Sequence, residues 1–265
     1  MKRLICTILI LSMAVSLCAC GGGGKYGVTE VETLVEQEYS LAFRQNDPVY
    51  YYVTGALRVI MAQGTVDELA VKWFGSRCID FESDPKALDE IGLPEPRTFI
   101  IGVDVNSFPM VYLNASGEFW GFDIELAKAV ADLLGWELKA QAIEKENVYN
   151  ELASGNIDCA WGGIALNENE LNDGIYWEFG PYIDNQIVVA MRSNIVSKSL
   201  RGKTLAMPAT PEAYDALESN KSVSRKLDKV TRLVGGTTEC FTYLYSGRVD
   251  AILTDSTALL YYNCH

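Results

Sequence analysis

The chain has 265 residues, 49% of them hydrophobic and 22% charged, a globular composition long enough for one large domain or two lobes. Asp and Glu outnumber Lys and Arg by 35 to 22, and a formal charge of −13 argues against nucleic acid, whose phosphates require basic stripes. The one histidine is His265, so mechanisms that need an internal imidazole are excluded: Ser-His-Asp triads, HExxH zinc sites and histidine general bases.

Lys2 and Arg3 precede an apolar run, Leu4 to Leu17. The run is shorter than the roughly 20 residues of a permanent membrane helix and reads as an export signal. The ending Leu17-Cys18-Ala19-Cys20 resembles a bacterial lipobox. That resemblance implies removal of residues 1–19, a lipid on Cys20, and a Gly-rich tether over 20–25. Ordinary secretion with cleavage nearby is the alternative. The mature chain then has 20 basic and 35 acidic residues, a charge of −15. Cys78, Cys159, Cys240 and Cys264 remain, with no CxxC pair. Cys159 reads as a small core residue, and a Cys240–Cys264 pairing stays open.

Strand and helix signals alternate along the mature region, the pattern of an α/β fold with parallel sheets. Asp47-Pro48 opens an amphipathic helix to about Gln63, closed by Gly64; Thr65 is expected to cap a second, with Glu68 completing a capping box, to near Trp73. Pro94-Glu95-Pro96 reads as a stiff connector and Thr98–Val103 as a buried strand. Helices are expected over Phe122–Leu134, stopped by Gly135, and Val148–Ser154, stopped by Gly155. Strands follow over Ile157–Trp161, Gln186–Met191 and Lys203–Met207, Pro211 sits in a helix first turn, and Thr237–Ser246 is helical. The segment Leu152-Ala-Ser-Gly-Asn-Ile-Asp158-Cys159 is echoed by Leu244-Tyr-Ser-Gly-Arg-Val-Asp250-Ala251. Each copy is a helix end, a glycine suited to positive φ, and a buried strand. Two similar lobes would face each other across a cleft at their strands' carboxyl ends.

Arg97 to Tyr262 resembles the amino-acid-binding family of bacterial solute-binding proteins, the receptors of ABC importers. The matching pieces are Ile101-Gly-Val-Asp104, Gly117-Glu-Phe-Trp-Gly-Phe-Asp123, Leu152–Asp158, Phe179-Gly-Pro-Tyr182, Leu200-Arg-Gly-Lys203 and Gly247-Arg-Val-Asp250-Ala251-Ile-Leu-Thr-Asp255, in the family's order. The family's closing elements resemble segments at the front: Glu38-Tyr-Ser-Leu-Ala-Phe-Arg-Gln-Asn-Asp47, Ala56-Leu57, and Gly64-Thr65 through Lys72-Trp-Phe-Gly75. The chain therefore resembles a circular permutant, which is permissible when natural termini lie close together at the surface. A truncated receptor behind an unrelated helical leader is the other reading.

The resemblance implies a two-lobed periplasmic-binding-protein-like fold of type II, each lobe a mainly parallel sheet flanked by helices. Lobe 1 is expected over 34–184: a family C-terminal part at 34–75, a connector at 76–97, and a family N-terminal part at 98–184. Lobe 2 is expected over 185–265 plus a strand at 26–33. Crossing strands near Tyr182–Asn185 and Glu32–Glu38 would form the hinge.

By motif, the resemblance puts Asp104 and Asp255 on acidic ligand contacts and Thr210 at a helix N-terminus suited to a carboxylate. It puts Phe108 and Trp161 near aromatic contacts. Each also has a plainer reading: a turn cap, a helix cap, or a core residue. Where the family carries its carboxylate-binding arginine, this chain has Glu170, and Ala165 replaces a threonine. Either Thr210 with Lys203 or Arg192 takes over the carboxylate, or the ligand has none. Asp104, Asp255, Glu168 and Glu170 with Phe108, Trp161, Trp177 and Tyr182 would suit an amine or quaternary ammonium, and the glutamates read equally well as an exposed loop.

The expectation is a non-enzymatic monomeric receptor, extracytoplasmic and anchored to the membrane by lipid, for a polar amino acid or related amine. It uses no cofactor or metal and works with ABC permease and ATPase subunits through hinge closure. A sensory or scaffold lipoprotein that has lost ligand binding is the alternative, and a dehydratase-like enzyme fits the acidic surface poorly.

Overall fold

The computed structural model describes residues 27–166 and 176–265. The export segment, Cys20, the tether and the block holding Glu168 and Glu170 lie outside the described residues. The first elements are strand β1 (Val28–Arg44) and helices α1 (Val49–Ala62) and α2 (Thr65–Phe74). Next come β2 (Thr98–Val103), a hairpin of β3 (Tyr112–Leu113) and β4 (Phe119–Trp120), α3 (Phe122–Leu134) and β5 (Glu137–Ala142). A 3-10 turn (Lys145–Asn147) leads to α4 (Val148–Ser154) and β6 (Cys159–Ala160). The second half holds β7 (Tyr176–Arg192), β8 (Thr204–Pro208), α5 (Pro211–Ser219) and α6 (Lys221–Ser224). It closes with β9 (Lys229–Leu233), α7 (Gly236–Tyr245), β10 (Ala251–Asp255) and α8 (Ser256–Cys264).

Gly135 and Gly155 end α3 and α4 in the left-handed region, at φ 69° and 75°, returning their N–H groups to the last turn. Thr65 is not the cap expected of it. Gly64, at φ 83°, takes that place because the reversal out of α1 needs positive φ, and Thr65 becomes the first helical residue. The strand expected over Ile157–Trp161 pairs only at Cys159–Ala160. The Asp158 carboxylate accepts from the Arg97 guanidinium at 2.5 Å and from the Ile100 N–H at 2.8 Å, and the Asp158 and Trp161 N–H groups donate to the Ile100 and Gly102 carbonyls of β2.

Apart from the β3–β4 hairpin, the described strands form one sheet, in the order β5-β2-β6-β1-β7-β10-β8-β9. β5, β2 and β6 run parallel at one end, and β10, β8 and β9 at the other. Between them β1 and β7 pair antiparallel along their whole length, with Gln37 opposite Asn185 and Glu38 opposite Asp184. Register shifts at Glu30/Glu32, Thr33/Val35 and Tyr39/Leu41 bend this pair.

The apolar side chains sort into cores on either side of that crossing. One is built on Phe43, Leu57, Phe99, Ile101, Phe122, Leu126 and Trp161, with a satellite around Leu152 and Ile157. The other half has two cores, around Val188, Phe241 and Ile252 and around Val189, Leu205 and Leu253. The molecule is thus two-lobed. The N-terminal helices belong to the first lobe: Phe74 packs on Phe122 at 5.0 Å, and Glu125 of α3 accepts from Lys72 at 2.6 Å and from the Trp73 indole at 3.2 Å. Asn263 of α8 bonds both backbone groups of Val28, at 2.8 and 2.9 Å, so β1 begins beside the end of α8. No helix among the described residues is long and apolar enough to cross a membrane.

Candidate functional site

Four strand ends converge between the lobes. β2 delivers Asp104, β8 leads through Thr210 into α5, β9 leads to Thr237 in the first turn of α7, and β10 ends on Asp255, the N-cap of α8. All four residues line one cavity of about 40 Å³, together with Tyr39, Ser107, Lys145, Glu212 and Thr254. It opens beside a groove of about 1020 Å³ walled by Phe108, Tyr112, Ile143, Lys145, Pro211 and Val234. The inner space holds a few waters; the groove has the size of a small-molecule site.

Asp255 is held from the crossing strands. Asn185 of β7, 1% exposed, donates to its Oδ1 at 2.8 Å and to the Tyr39 hydroxyl at 2.8 Å. The Asn185 carbonyl oxygen accepts from the Ser256 and Thr257 hydroxyls, both at 3.3 Å. Desolvation raises the Asp255 pKa, opposed by the Asn185 hydrogen bond and by the charge of Lys145. Asp104 is buried at the end of β2, where the Asn106 N–H and the Ser107 hydroxyl donate to it at 2.9 and 3.2 Å. Thr210 caps α5 by accepting the Ala213 N–H at 3.3 Å, and its helix end faces the cavity.

The cation in this cleft is Lys145. Its ammonium lies 3.2 Å from Asp104 of its own lobe and 3.6 Å from Glu212 of the other. Lys203 and Arg192, the expected substitutes for the lost arginine, do not line it. Lys203 sits before β8 and pairs with Asp250 at 3.4 Å, and Arg192 closes the far end of β7, opposite Val28. Both are at the strand ends remote from the carboxyl termini of β8 and β10.

Of the residues expected at the site, Asp104, Thr210 and Asp255 come together, and Phe108 walls the outer groove in ring contact with Tyr112, Tyr261 and Tyr262. Trp161 lies within the first core, fully buried, and lines neither cavity. Tyr182 is also buried: its hydroxyl donates to Asp123 at 2.9 Å, and the Gly163 N–H donates to the same carboxylate at 2.9 Å. Burial pushes the Asp123 carboxyl up to about 7 against those hydrogen bonds. Glu170 and Glu168 lie outside the described residues. The sequence reading missed Asn185 as a site residue, Glu212 and Lys145. Glu-Lys-Glu at 144–146 reads as a solvated turn, and only the position of that turn after β5 brings the lysine inward. Among the described residues no disulfide joins Cys240 to Cys264.

Two lobes with separate cores, joined by crossing strands and meeting at a polar cleft, define a two-lobed α/β architecture. Residues 99–229 match the family model of bacterial extracellular solute-binding proteins, family 3, and in this part the chain is similar to amino-acid-binding members of that family. It is 29% identical over 164 residues to the probable amino-acid-binding protein YxeM of Bacillus subtilis, covering 60% of each chain. It is 31% identical over 155 residues to the glutamine-binding protein GlnH of the same organism, covering 56% of this chain and 54% of that one. A solved polar amino acid ABC uptake transporter substrate-binding protein from Streptococcus thermophilus is 33% identical, covering 60% of this chain and 61% of that one, with a TM-score of 0.45. The chain spans about 60% of the length of the first curated relative it matches.

Proposed function

We propose that the protein is the solute-binding receptor of an ABC importer and captures a polar amino acid or related amine between its lobes. The observation that carries this reading is the convergence of Asp104 and Asp255 from opposite lobes on one cavity that the α5 N-terminus also lines. Asp255 is the ammonium acceptor, pre-oriented by Asn185 and Tyr39. The N-terminus of α5, whose dipole favours negative charge, receives an anionic group. The relatives named for amino-acid and glutamine binding support the substrate class, and the matching family is one of binding proteins, which favours binding without turnover. The receptor is extracytoplasmic, held to the membrane by a lipid on Cys20, and delivers its solute to a permease driven by an ATPase. Closure of the lobes over the solute is the signal the permease reads.

The chain is also proposed to be a circular permutant of the family, lobe 1 spanning 34–184 and lobe 2 185–265 with the strand at 26–33. The packing of α1 and α2 on α3, and the contact of Val28 with Asn263, support that arrangement.

Thermal unfolding against a panel of amino acids, polyamines and betaines tests the receptor reading. A ligand at 100-fold over its dissociation constant stabilises by about 2.7 kcal/mol and raises the midpoint. Asp255→Ala is expected to weaken that ligand at least tenfold, the loss of about one charge-assisted hydrogen bond. Unchanged affinity in the variant overturns the placement of the site, and no response to any ligand returns the chain to the scaffold reading.

A further inference from the structure

The cleft already contains a cation, supplied by the chain itself. Lys145 reaches from the 3-10 turn of lobe 1 between Asp104 and Glu212, its side chain only 22% exposed. Asp255 stands close enough to act on the same ammonium electrostatically. Lys145 lines both the inner cavity and the outer groove, so it stands between them. The inner cavity also holds a polar group with nothing to bond: the Thr254 hydroxyl is buried, its residue 2% exposed, with no hydrogen-bond partner. A buried hydroxyl without a protein partner is costly in a finished interior and offers a donor and an acceptor to whatever occupies the cavity.

We infer that the Lys145 side chain acts as a tethered surrogate ligand: its ammonium fills the cation position of the cleft and links the two lobes, and a primary alkylammonium group is the chemical class that takes its place. The inference rests on the reading of this cleft as the ligand site. Its physical content is competition. A tethered ammonium acts at an effective concentration of about millimolar, so any solute must displace it, and the apparent affinity falls by the fraction of molecules in which Lys145 is seated. A lysine here therefore sets a threshold that excludes weakly bound cations while holding the unliganded lobes together. A ligand carrying its ammonium on a flexible chain would reproduce both contacts and reach Thr254 beyond them.

Chemical rescue tests this on the purified protein. Lys145→Ala removes the chain beyond Cβ, and n-propylammonium restores the missing three carbons and charge. The expected result is a lowered unfolding midpoint in K145A, recovered by several degrees with n-propylammonium chloride and not with sodium chloride at equal concentration. The wild type stays unmoved, and the amine binds the variant roughly tenfold or more tightly than it binds the wild type. Equal responses in both proteins, or none in the variant, overturn the inference. Lys145→Met keeps the apolar stem and loses the charge, which makes the answer readable if K145A does not fold. Its radius of gyration in X-ray scattering is expected to exceed that of the wild type, and an unchanged radius overturns the link between the lobes. Rescue with no amino-acid or amine response in the wild type would retain the surrogate cation and reject the receptor reading, so the two failures are distinguishable.

Discussion

Asp123 illustrates how a motif residue does structural work behind a site. It is fully buried, accepts from Tyr182 and from the Gly163 N–H, and so fixes the turn after β6 against the cavity-lining Ser107, whose single hydroxyl proton is shared between Asp104 and the Gly163 carbonyl, each at 3.2 Å. Its carboxyl is raised from 3.8 to about 7 by desolvation. The folded state therefore holds this proton where the unfolded chain has lost it. The contribution is fully present below about pH 4 and disappears as pH rises through about 7. Urea unfolding across this window is expected to show the wild type losing up to about 4 kcal/mol relative to Asp123→Asn. A difference between the two proteins that is flat from pH 4 to 8 would reject the assignment.

At the scale of elements, α2 couples the N-terminal helices to both the first lobe and the last helix. Trp73, 4% exposed, donates its indole N–H to Glu125 and lies 5.8 Å from the Tyr261 ring. Trp73→Ala leaves a cavity and removes one of the donors to Glu125. It is expected to cost about 3–5 kcal/mol by denaturant unfolding, whereas an unpacked leader helix would tolerate the change within about 0.5 kcal/mol. Gly121 shows why this part of the chain was readable beforehand. It enters α3 at φ 142°, and a Cβ there would stand 2.1 Å from the Met110 carbonyl oxygen, so the turn into the helix admits little but glycine.

For the whole molecule, the contact of Val28 with Asn263 makes reclosure of the chain practicable. A variant that joins His265 to Gly27 through a short flexible linker and opens within 76–97 restores the order of elements the permutation reading assigns to the family. It is expected to fold with an unchanged circular dichroism spectrum and to keep the wild-type ligand profile, because circular permutation at exposed sites leaves the core contacts intact. Failure to fold while the same linker is tolerated elsewhere would favour the reading of an unrelated leader. Ligand capture is expected to reduce the radius of gyration of Lys145→Met, whose lobes lack the lysine link.

Residue order alone carried the α/β class, the ends of α3 and α4, and the placement of Asp104, Thr210 and Asp255 at strand and helix ends. These features are local: a glycine at positive φ, a proline in a first turn, an acid directly after an apolar strand. The resemblance to the family also implied that Glu170 stands where the family has its arginine, an expectation that falls outside the described residues. Tertiary structure decided everything that depended on distance across the chain. Trp161 went to the core because it lies on the same face as Cys159, two residues earlier along the strand, and that face meets the first core. Lys203 and Arg192 fell at the wrong ends of their strands. Lys145 became the cation of the cleft because the turn after β5 faces α5 of the other lobe. Electrostatic partnership is set by a few ångströms of separation between residues far apart in the chain, and hydrophobic period and turn chemistry do not encode those distances.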